Sequence, residues 1–127
     1  MHGDAIRVFV VEDSPVLRER IVGDIAALGR FNLVGWAESQ SEAVASIARL
    51  APDVVVTDIQ LKQGSGIEVM RQVRVRCPKP PPTIVVLTNY GMAEYKRQCL
   101  KCGADAFFDK SSEYDQFLAR MRRFTIH

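Results

Sequence analysis

Val8-Phe9-Val10-Val11-Glu12-Asp13 is a continuous apolar run that stops on two acids. The same design recurs along the chain. Val54-Val55-Val56-Thr57 stops on Asp58, Ile84-Val85-Val86-Leu87 on Thr88, and Ala106-Phe107-Phe108-Asp109 on Lys110. Short runs of β-branched and aromatic residues without polar alternation suit strands covered on both faces, as in a parallel sheet. Parallel, adjacent strands of this kind would bring three carboxylates, a hydroxyl and an ammonium to one edge, where ligands of open α/β sheets bind.

Working outward, strands are expected over about 6–11, 32–37, 53–57, 83–88 and 105–108, each followed by a helical pattern. Ser14 caps the first helix with Pro15 at its first position, Leu17, Ile21, Ile25 and Leu28 form its inner stripe, and Gly29 ends it. Ser39-Gln40-Ser41-Glu42 and Ser65-Gly66-Ile67-Glu68 both read as capping boxes opening the second and third helices. The second carries Ala43, Ile47 and Leu50 inward and closes at Pro52, and the third runs to just before Pro78. A fourth covers about 92–102 and a fifth about 113–123, with Tyr114, Phe117, Leu118 and Met121. Strict alternation with short connections predicts right-handed crossovers and a doubly wound α/β sheet. Pro78-Lys79-Pro80-Pro81-Pro82 reads as a stiff connecting loop.

A length of 127 residues fits a single domain over 1–127 with a real core. Net charge of +2 is too small to point to nucleic acid, and the basic groups at Arg71, Arg74, Arg76, Lys79 and at Arg120, Arg122, Arg123 read as solvated helix faces. Neither a membrane span nor a secretory signal is present, so a cytoplasmic location is expected. Three cysteines argue against a disulfide framework. Cys99-Leu100-Lys101-Cys102 lies at the end of a helix, where the dipole opposes thiolate formation, and a zinc site would need Cys77, His2 or His127 from far away. The pair is read as small packing residues.

Taken singly, each strand-end residue has an ordinary explanation as a cap, a turn former, a strand threonine or a surface lysine. As a set they do not, because packing gives no reason to aim acids, hydroxyl and lysine at one point. Clustered carboxylates raise one another's pKa unless a cation relieves them, and a hard divalent ion with oxygen ligands does so. A carboxylate beside such an ion, with a lysine and a hydroxyl near, can attack phosphorus and form an acyl phosphate.

On these residues, together with Gly66 and Cys102-Gly103-Ala104-Asp105, the chain resembles over essentially its whole length a receiver domain of two-component response regulators, of the chemotaxis-regulator kind. The resemblance implies a flavodoxin-like (βα)5 fold with strand order 2-1-3-4-5 in three α/β/α layers. It makes Asp58 the phosphoacceptor, served by a sensor histidine kinase or phosphotransfer protein. It implies Mg²⁺ (or Mn²⁺) held by Glu12, Asp13, Asp58 and the backbone carbonyl of Gln60. Thr88 and Lys110 would bind the phosphoryl group, Thr88 and Phe107 would act as the switch, with Phe107 turning inward, and Gln60, Asn89 and Tyr90 would tune the phosphoryl lifetime. The output would be the surface of helix 4, strand 5 and helix 5, which could also form a homodimer. That surface would act on a partner protein or an attached output domain, with no nucleic acid or membrane bound by this chain and no turnover beyond self-phosphorylation and autodephosphorylation.

The chain departs from the family pattern at several positions. Phe107 lacks a tyrosine hydroxyl, Lys62 replaces a frequent proline, and Asn89 replaces a small residue. Ser111 stands where proline after a cis bond is common, and a trans bond is expected because non-proline cis bonds cost about 2.5–4 kcal/mol. A phosphate-cofactor binder on the same fold would need an anion loop where Glu12-Asp13 stand. An aspartate-nucleophile phosphatase would need an acid where Gln60 stands. A phosphorylation-independent interaction module is the remaining alternative.

Overall fold

A computed structural model describes residues 5–76, 80–89 and 92–124. Among these, β1 (Ile6–Val11), α1 (Pro15–Ala26), β2 (Phe31–Ala37), α2 (Gln40–Leu50), β3 (Val54–Thr57), α3 (Gly66–Arg76), β4 (Thr83–Thr88), α4 (Ala93–Lys101), β5 (Ala106–Asp109) and α5 (Tyr114–Arg122) follow in strict alternation. The strands form one sheet in the order β2-β1-β3-β4-β5, and every pairing is parallel. The doubly wound sheet and its order are as expected.

Period-two alternation within the apolar runs divides the core into two layers. Phe9, Val11, Val55, Val86 and Phe107 meet Ala43, Val44, Ile47, Val69, Met70, Val73 and Cys99 from α2, α3 and α4. Val8, Val10, Val54, Val56, Val85 and Leu87 meet Ile21, Ile25, Phe117 and Met121 from α1 and α5. Both faces of the central strands are thus removed from water, which is why those strands lack polar alternation. The edge strand β2 keeps Leu33 and Trp36 exposed.

Asp53 and Asp105, the expected first residues, fall just outside β3 and β5, which begin one residue later. Each uses its carboxylate to accept a neighbouring strand's amide, Arg7 N at 2.8 Å and Ile84 N at 2.8 Å, so side chains close the ladder at that edge.

Two of the expected caps form: Ser14 Oγ accepts from Leu17 N (3.3 Å) and Ser65 Oγ from Glu68 N (3.2 Å). Ser39 does not cap α2. Its hydroxyl donates to Glu42 Oε1 (3.1 Å), while Gln40 N donates to Gln63 O (2.8 Å) and Ser41 N to Gln63 Oε1 (3.3 Å). The loop before α3 thus supplies acceptors for the first two amides of α2.

Cys99 is fully buried and Cys102 half-buried at the C-terminal end of α4. Burial pushes the Cys99 thiol up to about 11, the reverse of a redox thiol. Cys77, Pro78, Lys79, His2 and His127 lie outside the described residues.

Candidate functional site

The sheet ladder extends one residue beyond the strands at the C-terminal edge. Glu12 N donates to Ala37 O (3.0 Å), Asp58 N to Val11 O (3.1 Å) and Lys110 N to Thr88 O (2.9 Å). These residues therefore keep sheet register although they follow the apolar runs, and their side chains are aimed by the backbone. Gly66 is required beneath them, because a Cβ there would lie 1.9 Å from the carbonyl oxygen of Asp58.

Lys110 Nζ lies 2.6 Å from Glu12 Oε1 and 2.8 Å from Asp58 Oδ2. All three side chains are less than a tenth exposed. The remaining carboxylate oxygens are also engaged, Glu12 Oε2 by Ser14 N (3.1 Å) and Asp58 Oδ1 by Ile59 N (2.6 Å). Burial lifts the Glu12 carboxyl above its usual range, more than the Lys110 ammonium and the Ser14 amide lower it. Burial alone would push the Lys110 ammonium down, but hydrogen bonds to Asp58 and Glu12 outweigh it and hold Lys110 above its ordinary value.

Asp13 follows Glu12 and is half-exposed, and among the described residues no hydrogen bond or ion pair holds its carboxylate. Gln60 is exposed, in a β-bridge with Ser65 across the turn after Asp58. Thr88 is fully buried at the end of β4 and Asn89 exposed beside it, while Tyr90 lies outside the described residues. The donors on offer are all oxygens, which fits a hard divalent cation. Among the described residues no three His, Cys, Asp or Glu side chains are grouped tightly enough to hold a metal by themselves.

Phe107 is buried within the core layer containing Val86, Cys99 and Ala104. The resemblance implies a ring that turns inward on activation; here the ring is buried within this layer. A phenyl ring has no hydroxyl to draw it to the surface, and burial favours it inside.

The loop after Lys110 is organised by a residue that the sequence reading passed over. Asp109 Oδ1 accepts from Ser111 N (2.8 Å), Ser111 Oγ (2.6 Å) and Ser112 N (3.1 Å), a side-chain turn legible in the run Asp109-Lys110-Ser111-Ser112. These bonds, the Ser111 hydroxyl first, hold the Asp109 carboxyl below its usual value.

A family profile described as the response regulator receiver domain matches residues 8–122. A protein-glutamate methylesterase/protein-glutamine glutaminase of Syntrophus aciditrophicus is 34% identical over 109 residues, covering 84% of this chain and 31% of that protein. The transcriptional activator DevR/DosR of Mycobacterium tuberculosis is 33% identical over 105 residues, covering 83% of this chain and 48% of that protein. The chain therefore spans about a third to a half of these relatives. The response regulator domain of Thermotoga maritima CheB superposes with a TM-score of 0.83 at 25% identity, covering 94% of this chain and 95% of that one. With the profile covering nearly the whole chain and the βα order matching throughout, the chain belongs to the response regulator receiver domain family.

Proposed function

We propose that this chain is a phosphoacceptor switch of a two-component system, with Asp58 as the acceptor. The observation that carries the proposal is the buried Asp58 carboxylate with Lys110 Nζ at 2.8 Å, beside a second buried acid at Glu12. The donor would be a phosphohistidine of a sensor kinase or phosphotransfer protein. An Asp58 carboxylate oxygen attacks phosphorus, the P–N bond breaks, and its electron pair leaves on the imidazole nitrogen.

Glu12, Asp13, Asp58 and the Gln60 carbonyl would hold Mg²⁺ or Mn²⁺, which supplies positive charge against the phosphoryl oxygens when bound. Lys110 moves its ammonium from the free carboxylate to the transferred phosphoryl group, so its charge is spent where negative charge develops. Ile59 N and the Gly66 close approach hold Asp58 in place, and Thr88 hydrogen-bonds the phosphoryl oxygen. Gln60 and Asn89, exposed beside the site, and Tyr90 control how water reaches the acyl phosphate.

Because Phe107 already packs inward, the signal would be a population shift of the α4–β5–α5 surface led by Thr88 rather than a flip of the ring. That surface would engage a partner protein, an output domain or a second copy of the chain. Catalysis is confined to self-phosphorylation and autodephosphorylation, in a receiver spanning residues 1–127 and working in the cytoplasm. Among the described residues no helix is long and apolar enough to cross a membrane.

Incubation with Mg²⁺ and acetyl phosphate, read by intact mass, tests the proposal. A single phosphoryl adduct that disappears in Asp58→Asn is the expected result. No adduct, or one that persists in that variant, overturns it and leaves a phosphorylation-independent interaction module.

A further inference from the structure

Arg18 occupies an unfavourable place. It lies in the first turn of α1, where the helix dipole repels a cation, and its side chain is only 12% exposed. Three contacts offset that cost. Its Nη1 donates to the backbone carbonyl of Glu12 (3.0 Å) and lies 3.5 Å from Glu38 Oε2. Its guanidinium stacks 3.7 Å from the centroid of the Trp36 ring.

The carbonyl it holds belongs to the peptide joining Glu12 to Asp13. Nothing among the described residues fixes the Asp13 carboxylate, so the orientation of that peptide is what aims it. Glu38 in turn accepts Lys62 N on its own carbonyl (3.2 Å), which ties the same corner to the loop following Asp58. We infer that Arg18 is a positioning residue for the divalent cation, locking the Glu12–Asp13 peptide so that Asp13 faces the site, with Trp36 as the plate against which it is locked. The inference rests on the phosphoacceptor reading above. A planar, always-charged group suits the task, since a guanidinium can donate, pair and stack at once.

Two consequences distinguish positioning from general support of the fold. Cation affinity should depend on Arg18 although Arg18 touches no ligand side chain. Trp36, the chain's single tryptophan, should sense cation binding through the stack.

The experiment is Mn²⁺ titration of the full chain, read by the electron paramagnetic resonance of free Mn²⁺, with Trp36 emission and urea unfolding followed in parallel. Arg18→Ala should bind Mn²⁺ about 10-fold more weakly, the lower end of what loss of an outer-shell partner costs. Arg18→Lys, which can donate and pair but not stack as a plane, should fall between the two. Saturating Mg²⁺ should change Trp36 emission in the wild type and not in Arg18→Ala. Equal Mn²⁺ affinity in the wild type and a folded Arg18→Ala overturns this inference alone. Should Arg18→Ala fail to fold, wild-type affinity in Arg18→Lys overturns it and weaker binding supports it. No Mn²⁺ binding by the wild type overturns both this inference and the function it rests on.

Discussion

Lys110 Nζ reaches Asp58 Oδ2 at 2.8 Å across 52 positions of sequence, and the same nitrogen reaches Glu12 Oε1 at 2.6 Å. One cation is therefore shared by two buried acids that follow β1 and β3, and the lysine that supplies it follows β5. The arrangement serves the fold and the proposed chemistry together. It permits Glu12 and Asp58 to be buried side by side, and it keeps a positive charge against the Asp58 oxygen beside which the proposed acyl phosphate would form.

Removing that lysine should show both roles. Lys110→Ala leaves Glu12 and Asp58 buried without their partner, a loss of about 3–5 kcal/mol when a buried pair is broken and no relaxation intervenes. The Glu12 carboxyl, already lifted by burial, loses the ammonium that lowers it and rises further. A proton taken up by Glu12 as the pH falls then relieves the repulsion, so the variant's deficit should shrink from pH 8 to about pH 5. Urea unfolding of both proteins across this range checks the sign. A deficit that grows toward acid would contradict it.

Two glycines in helices should respond in opposite senses. A Cβ at Gly66 would meet the Asp58 carbonyl at 1.9 Å, whereas one at Gly23 in α1 meets nothing within 4 Å. Gly66→Ala should cost about 1–3 kcal/mol or more through overpacking and should displace the acceptor's backbone. Gly23→Ala should stabilise by about 0.5–1 kcal/mol through the lower entropy of the unfolded helix segment. Paired denaturation curves, with acetyl phosphate labelling of each variant, test both. Slowed labelling is expected only in Gly66→Ala.

The apolar runs ending at Val11, Thr57, Leu87 and Phe108 disclosed the fold because strands buried on both faces cannot alternate, and that signal is local. Glu12, Asp58, Thr88 and Lys110 were legible for the same reason, since each stands next to such a run. What the chain concealed depends on partners far along it. Ser39 looked like a cap, but its hydroxyl donates to Glu42 and Gln63 from another loop takes the Gln40 and Ser41 amides. Arg18 carried no local mark, because its meaning comes from Trp36 and Glu38 on the next strand and loop. The inward packing of Phe107 follows from the space among Val86, Cys99 and Ala104, which no spacing rule encodes.

Asp109 should matter to the site although it does not enter it. Its carboxylate gathers Ser111 N, Ser111 Oγ and Ser112 N, and its own amide donates to Glu113 Oε1 at 2.9 Å. The turn so formed fixes the chain immediately after Lys110, a role that Ser111 cannot fill by backbone restriction alone. Asp109→Ala should slow acetyl phosphate labelling of Asp58, by up to about 100-fold if Lys110 shifts by 1 Å. Asp109→Asn retains an acceptor oxygen for the Ser111 amide and should lose less. Equal rates in all three proteins would show that Lys110 is positioned by its strand alone.

Cys99 provides a pH signature of the core layer beneath α4. Its thiol ionises near 9 when exposed and is pushed up to about 11 by burial, with the neighbouring Cys102 adding to the shift. The folded chain therefore holds the proton more tightly than the unfolded chain between these values. The stabilising difference is complete below pH 9 and is lost as the pH rises through about 11, at most about 3 kcal/mol for a shift of this size. Stability should decline over this window more steeply in the wild type than in Cys99→Ala, which starts lower because of the cavity it leaves. Iodoacetamide at pH 8 should alkylate the half-buried Cys102 well before Cys99, with tryptic mass mapping as the readout. Alkylation of Cys99 at the rate of Cys102 in the native protein would show that α4 opens to solvent, and the difference in slope should then vanish as well.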